Sequence, residues 1–157
     1  MIPQLREELD ALRQQGRWRA LREVPAHITL NLSSNDYLNL SADPRVIAAA
    51  QEAAAEFGCG ARASRLVTGH TPLHAALEQS LAELTQQDAA LVFPSGYQAN
   101  LATISTLAGP LDLILSDALN HASLIDGCRL SRATVRVYRH ADATHAESLL
   151  KDAGKFR

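Results

Sequence analysis

Ser116-Asp117-Ala118-Leu119-Asn120-His121-Ala122-Ser123-Leu124-Ile125-Asp126-Gly127 follows the apolar run Leu113-Ile114-Leu115. A short apolar run of this kind reads as a buried strand, and Ser116 and Asp117 supply the turn and capping chemistry that ends it. Asn120 or the residues just before it can open a helix, which sets His121 at the mouth of a strand-to-helix junction. Open α/β sheets bind their ligands at such junctions. An imidazole there can stack on a flat ring or handle protons near neutral pH, whereas an isolated loop histidine need do neither. A second junction of the same kind, upstream, decides between the two.

From residue 89 onward the pattern is βαβα. Ala89-Ala90-Leu91-Val92-Phe93 reads as a strand, Pro94-Ser95-Gly96-Tyr97 as a junction, and Gln98–Ile104 as a helix stopped by Gly109-Pro110. Thr134–Tyr138 is a further strand and Asp142–Lys151 a polar helix. Strands alternating with helices predict an α/β fold with a mainly parallel sheet covered by helices. At the upstream junction a helix begins with backbone N–H groups that have no intrahelical partner. Gly96 lets a ligand approach them closely, and Ser95 can cap the helix or donate its own hydroxyl. With the helix dipole added, this is a phosphate cradle. It is not the nucleophile elbow of a serine hydrolase, because Phe93 and Tyr97 stand where that motif needs glycines. Two adjacent junctions therefore suit a phosphorylated, flat, aromatic ligand, with phosphate at Ser95-Gly96-Tyr97 and the ring under His121. Pyridoxal 5'-phosphate has that shape.

The earlier part of the chain is well punctuated. Leu5, Leu9 and Leu12 are spaced for a helix over residues 3–15, closed by Gly16. A basic segment follows, Arg17-Trp18-Arg19-Ala20-Leu21-Arg22. Ile28–Leu32 alternates as a strand does, and Ser33-Ser34-Asn35-Asp36 breaks it. Asp43-Pro44 opens a helix that Gly58 ends, with Val46, Ile47, Ala50, Ala54 and Phe57 as its expected buried stripe. Residues 58–70 form a Gly- and Arg-bearing loop, long enough to suggest a binding or subunit-contact role. Its Gly58-x-Gly60 follows a helix and is no dinucleotide fingerprint. Thr71-Pro72 opens the next helix, with Leu73, Leu77, Leu81 and Leu84 on one face. His70 and His74 are four apart, but a helix start separates them and the metalloprotease pattern is missing, so no metal site is expected.

Composition narrows the function classes. The sequence has 157 residues, 46% of them hydrophobic and 20% charged, in the range of a soluble globular protein. A net charge of −2 and a pI near 6.3 leave no electrostatic footprint for nucleic acid or an anionic membrane. No apolar run reaches membrane-spanning length, and Met1–Glu8 does not read as a signal peptide. Cys59 and Cys128 lack disulfide or metal spacing and are expected as free thiols in the cytoplasm. Of the 15 basic side chains only Lys151 and Lys155 are lysines.

Four stretches together carry a family resemblance: Ser33-Ser34-Asn35-Asp36-Tyr37-Leu38, Ser64-Arg65-Leu66-Val67-Thr68-Gly69, Phe93-Pro94-Ser95-Gly96-Tyr97-Gln98-Ala99-Asn100, and the Ser116–Gly127 motif. In this order they resemble the α-oxoamine synthases, over about residues 3–150. The resemblance implies a fold-type-I pyridoxal-phosphate enzyme, a homodimer with its site at the subunit interface, that condenses an amino acid with an acyl thioester and releases carbon dioxide. The likeness is strongest to the branch that joins L-alanine to a pimeloyl thioester in biotin biosynthesis. Glycine or serine with another acyl-CoA is the alternative within the family, and a non-catalytic interaction module is the alternative outside it. By matching position, the backbone at Gly96 and Tyr97 holds the phosphate, with Ser95 beside it. His121 stacks on the pyridine ring and meets the substrate. Arg19, with Arg17 or Arg22 as neighbours that could replace it, binds the acyl substrate, and Asn35 lines the same pocket.

Two positions depart from the family pattern. Asn39 stands where a glycine is usual in the Tyr-Leu-x-Leu turn, and Ala61-Arg62-Ala63 replaces a run richer in Gly and Ser. The resemblance further implies a lysine that holds the cofactor covalently and a carboxylate paired with its ring nitrogen. Both lie downstream of the last matched motif in the family, and Lys151 and Lys155 match neither. The expectation is therefore an N-terminal helix and substrate-contacting arm over residues 1–27, followed by the N-terminal part of the cofactor-binding large domain over 28–157. These residues alone are expected to be inactive. At the mouth of a sheet, His121 is expected to matter for chemistry and little for stability.

Overall fold

The structure, a computed structural model, describes residues 2–24, 31–151 and 153–156. They divide into two compact units, residues 1–58 and 59–157. The strand expected at Ile28–Leu32 and the boundary expected at 27/28 fall on or beside residues 25–30, outside the described residues.

In the first unit, α1 spans Pro3–Gln14 and opens with proline in its first turn. The Arg13 guanidinium lies 4.4 Å from the centre of the Trp18 ring, a cation–π contact that anchors the basic segment to the helix end. Asp36 gathers the turn before the next helix: its carboxylate accepts from the backbone N–H groups of Leu40 and Ser41, at 2.8 and 3.1 Å, and from the Ser41 hydroxyl. Asn39 sits within this turn in the left-handed region, at φ +53°. The helix α2, Pro44–Phe57, begins at Asp43, whose side chain accepts from Arg45 N–H. The stripe expected to be buried on α2 is not: Val46 is 47% and Ile47 44% exposed. Periodicity marks the face a helix can bury, but only a neighbouring element buries it, and among the described residues of this unit the main element against α2 is the short 3-10 turn Leu40–Ala42.

The second unit opens with the loop after α2, pinned at Gly69. Val67 and Gly69 N–H both donate to the Ser64 carbonyl at 3.0 Å. A Cβ added at Gly69 would lie 2.0 Å from the Ala63 carbonyl oxygen, so no other residue fits that crossing. The helix α3, Pro72–Thr85, starts at Thr71 as expected. Its leucines, like Val46 and Ile47 of α2, are largely uncovered, and Ala82 is its one buried residue. Ala89–Phe93, expected as a strand, has no ladder and is irregular. A strand needs a partner to pair with, and no described segment offers one; side chains hold Val92 instead.

Helix α4, Gly96–Leu107, packs along α5, Ala122–Ser131. The contact is close at Gly127, where an added Cβ would meet Ile104 Cβ at 3.0 Å and the Asn100 carbonyl at 3.3 Å. Strands β1, Leu113–Asp117, and β2, Thr134–Tyr138, pair in parallel with Leu113 opposite Thr134 and Asp117 opposite Tyr138. The expected strand end at Leu115 thus moves two residues on, because the ladder continues through Ser116 and Asp117. After β2 comes α6, Ala143–Leu150, capped by Asp142 and packed on β2. The unit is α/β with a short parallel sheet among helices. Among the described residues no helix is long and apolar enough to cross a membrane.

Candidate active site at the α4 and α5 junctions

Ser95 is the N-cap of α4, its Oγ accepting from Gln98 N–H at 3.2 Å. The hydroxyl oxygen therefore serves the helix first. The N–H groups of Gly96 and Tyr97 remain, with no acceptor among the described residues. A Cβ added at Gly96 would meet nothing within 4 Å. Packing inside the chain does not require the glycine; it leaves the helix N-terminus open to an approaching group. Both features suit an anion, since the helix dipole adds partial positive charge where the two donors point.

Tyr97 donates its hydroxyl hydrogen to the Asp126 carboxylate on α5. This bond, to a carboxylate that also pairs with Arg129 at 3.2 Å, pushes the Tyr97 phenol up from its ordinary value. The Tyr97 ring is left to face His121 edge-on, with centroids 6.4 Å apart and planes at 73°. The open start of α4 and the imidazole thus stand side by side across the α4/α5 packing.

His121 is exposed, and its ring is held from below. Its Nδ1 accepts from Ser123 N–H at 3.2 Å and lies 2.7 Å from the Ser123 Oγ. The residue is therefore the N-cap of α5, which starts one residue later, at Ala122, and not at Asn120. This cap gives His121 a structural bond that the expectation of little contribution to stability did not include. Histidine is not among the preferred N-cap residues, and only its position two residues before a serine N–H could have suggested the role. Ser123 itself is fully buried and accepts from Asn100 Nδ2 of α4 at 2.9 Å. Sequence reasoning missed this pair, although both residues lie inside the quoted motifs.

Asp117, at the end of β1, organises the loop that precedes His121. It accepts from Ala141 N–H at 3.0 Å, from Leu119 N–H at 2.8 Å and from His140 Nδ1 at 2.9 Å. The two backbone donors and then His140 hold its carboxyl at about 2. Asn120 fastens the same loop by donating to Ser116 Oγ at 3.0 Å.

The structure brings Ser95, Gly96, Tyr97 and His121 together. Arg19 and Asn35 belong to the first unit, where both are exposed. No hydrogen bond among the described residues uses the Arg19 side chain. His74, once weighed as a metal ligand, has its Nδ1 taken by Thr71 N–H at 3.2 Å and faces the Thr71 hydroxyl at 2.8 Å. His70 Nδ1 accepts from Arg65 at 3.2 Å. Cys59 is exposed and Cys128 buried, both as free thiols.

The residues present fit a phosphorylated ring. Two unpartnered N–H donors and open space lie at one helix start, and an exposed imidazole stands beside them.

Comparison with known proteins places the chain among relatives. The model of the aminotransferase class I and II family matches residues 27–156. An 8-amino-7-oxononanoate synthase of Mycobacterium sp. (strain JLS) is 53% identical over 147 residues, covering 93% of this chain and 38% of that protein. The synthase of Anaeromyxobacter sp. (strain Fw109-5) is 48% identical over 153 residues, covering 91% of this chain and again 38% of the relative. Among solved structures, a serine palmitoyltransferase from S. paucimobilis with PLP and myriocin bound superposes with a TM-score of 0.83 at 32% identity, over 96% of this chain and 42% of that one. The 8-amino-7-oxononanoate synthase of Francisella tularensis gives 0.64 at 32% identity, over 76% and 33%. The chain spans 38% of the length of the two synthases compared by sequence. It is a homologue of 8-amino-7-oxononanoate synthase and belongs to the aminotransferase class I and II family.

Proposed function

We propose that this chain is the cofactor-cradling part of a pyridoxal-phosphate-dependent acyltransferase that condenses L-alanine with a pimeloyl thioester, releasing carbon dioxide, to give 8-amino-7-oxononanoate. The observation that carries the reading is the open start of α4 beside His121, with Tyr97 and His121 ring centroids 6.4 Å apart. Identity of 53% to a protein of that activity supports the choice of reaction.

In this reading Gly96 and Tyr97 N–H bind the phosphate, and Ser95 fixes the helix start that aims them. His121 covers one face of the ring and shields it from water. When bound, pyridoxal phosphate supplies the electron sink that lets the amino acid lose its carboxylate. Arg19, exposed and without a partner among the described residues, takes the acyl substrate, whose free carboxylate matches a guanidinium. Asn35 lines the substrate pocket. The working molecule is a cytoplasmic homodimer.

Serine in place of alanine is the second reading, favoured by the fit to serine palmitoyltransferase. Carbon dioxide release by the protein at its relatives' full length, with pimeloyl thioester and each of L-alanine, glycine and L-serine, separates them. Alanine is expected to be preferred. A clear preference for glycine or serine replaces the biotin assignment, and no turnover with any of the three leaves a non-catalytic module.

A further inference from the structure

Ser123 is the one residue among those described whose side chain is both polar and completely buried. It sits between Asn100 on α4 and His121 at the start of α5. The direction of its hydrogen bonds follows from what each group can do. The Asn100 amide nitrogen only donates, so at 2.9 Å it gives a hydrogen to Ser123 Oγ. The Ser123 hydroxyl hydrogen is then free to point at its other neighbour, His121 Nδ1, 2.7 Å away. The backbone N–H of Ser123 donates to the same Nδ1 at 3.2 Å. A nitrogen that receives two hydrogens cannot carry one of its own. Of the two neutral imidazole tautomers, only the one protonated at Nε2 satisfies these bonds.

We propose that Ser123 and Asn100 are positioning residues which lock His121 as its Nε2–H tautomer. The inference rests on the reading of His121 as the residue that covers the cofactor ring. The relay then explains why a serine is buried at the α4/α5 contact when an alanine would pack there without needing a partner. It fixes the rotation of the imidazole about its own axis, so the same face is always offered. It also leaves Nε2–H as a donor on the exposed side of the ring, where a substrate carboxylate can accept it. Asn100 acts through Ser123, and because it stands on α4, it couples the ring's orientation to the helix that bears the phosphate cradle.

Nitrogen-15 NMR of the histidine-labelled full chain, without cofactor, tests the proposal independently of any activity. The chain has six histidines, and the His121→Asn variant identifies the resonances of His121. At neutral to mildly alkaline pH, Nδ1 is expected in the unprotonated range and Nε2 in the protonated range. In Ser123→Ala both shift toward tautomer-averaged values, because one of two donors is gone. Ser123→Thr, which keeps the hydroxyl, restores the original pattern. A protonated Nδ1 in the unaltered chain overturns the proposal, as does a Ser123→Ala spectrum identical to it. The unaltered chain is decisive even if a variant fails to fold. Loss of the proposed acyltransferase function would leave these spectra unchanged, so the two ideas fail separately.

Discussion

Arg65 and Glu78 pair at 2.8 Å, and between them they take up both backbone groups of Val92. Val92 N–H donates to Glu78 Oε1 at 2.8 Å, and its carbonyl accepts from Arg65 at 3.0 Å. Two side chains from the loop and α3 thereby do for residue 92 what a neighbouring strand would do. The segment that leads into the start of α4 is aimed by an ion pair.

That relationship predicts an acid limb in stability. Arg65, and after it Val92 N–H, hold the Glu78 carboxyl at about 2, below its ordinary 4.5. A group with a depressed folded pKa contributes fully above its unfolded value and is lost as pH falls toward the folded one. Melting temperature should therefore be flat above about pH 5 and fall between about pH 4.5 and 2. Asp117, held at about 2 by Ala141 N–H, Leu119 N–H and His140, contributes to the same limb. Glu78→Gln should lower the melting temperature at neutral pH and make the acid limb shallower without abolishing it. Thermal scans across that range check both statements; an unaltered slope would mean the pair does not hold the segment.

Close approach at Gly127 makes a second prediction. Gly127→Ala places a methyl 3.0 Å from Ile104 Cβ and 3.3 Å from the Asn100 carbonyl, so α4 has to give by a few tenths of an ångström to admit it. Overpacking of this kind costs about 1–3 kcal/mol. Because the same two helices carry Tyr97 and His121, cofactor affinity should fall along with stability. Denaturant melts paired with a cofactor titration measure the two effects on one variant.

Asn39 gives a third. It stands at φ +53°, and Arg62, in the other segment that departs from the family's small-residue pattern, stands at φ +62°. Both departures thus occur where a left-handed backbone favours glycine, and asparagine is the side chain that tolerates it best. Asn39→Gly should be close to neutral, whereas Asn39→Val should destabilise the first unit by about 1–2 kcal/mol. Urea melts of the two variants should differ by that amount.

What was legible in the sequence is what depends on neighbours three or four residues away. Asp43, Thr71-Pro72, Ser95 and Asp142 each mark a helix start within the chain's own local chemistry, and each helix begins there. The strand at Ala89–Phe93 and the buried stripes of α2 and α3 were not legible, because each needs a partner that local pattern does not specify. The site divides in the same way. Ser95, Gly96, Tyr97 and His121 follow from the local signals of a helix start, which for His121 comes after β1. The Asn100–Ser123 bond joins residues 23 positions apart and is visible only once α4 lies against α5.

The last prediction separates the two things His121 does. Its ring caps α5 through Ser123 N–H, and its exposed face is proposed to cover the cofactor. His121→Ala removes both. Loss of the cap should cost about 1 kcal/mol, and loss of stacking and proton handling should lower turnover about a hundredfold or more in the full-length protein. Asparagine is among the strongest N-cap residues but offers no aromatic face. His121→Asn should therefore regain most of the stability lost by the alanine variant while leaving turnover as low as that variant's. Melting temperature and turnover measured on the same two proteins decide the matter. If asparagine restored turnover along with stability, the cap would be the whole role of His121, and the proposal that it covers the ring would fall.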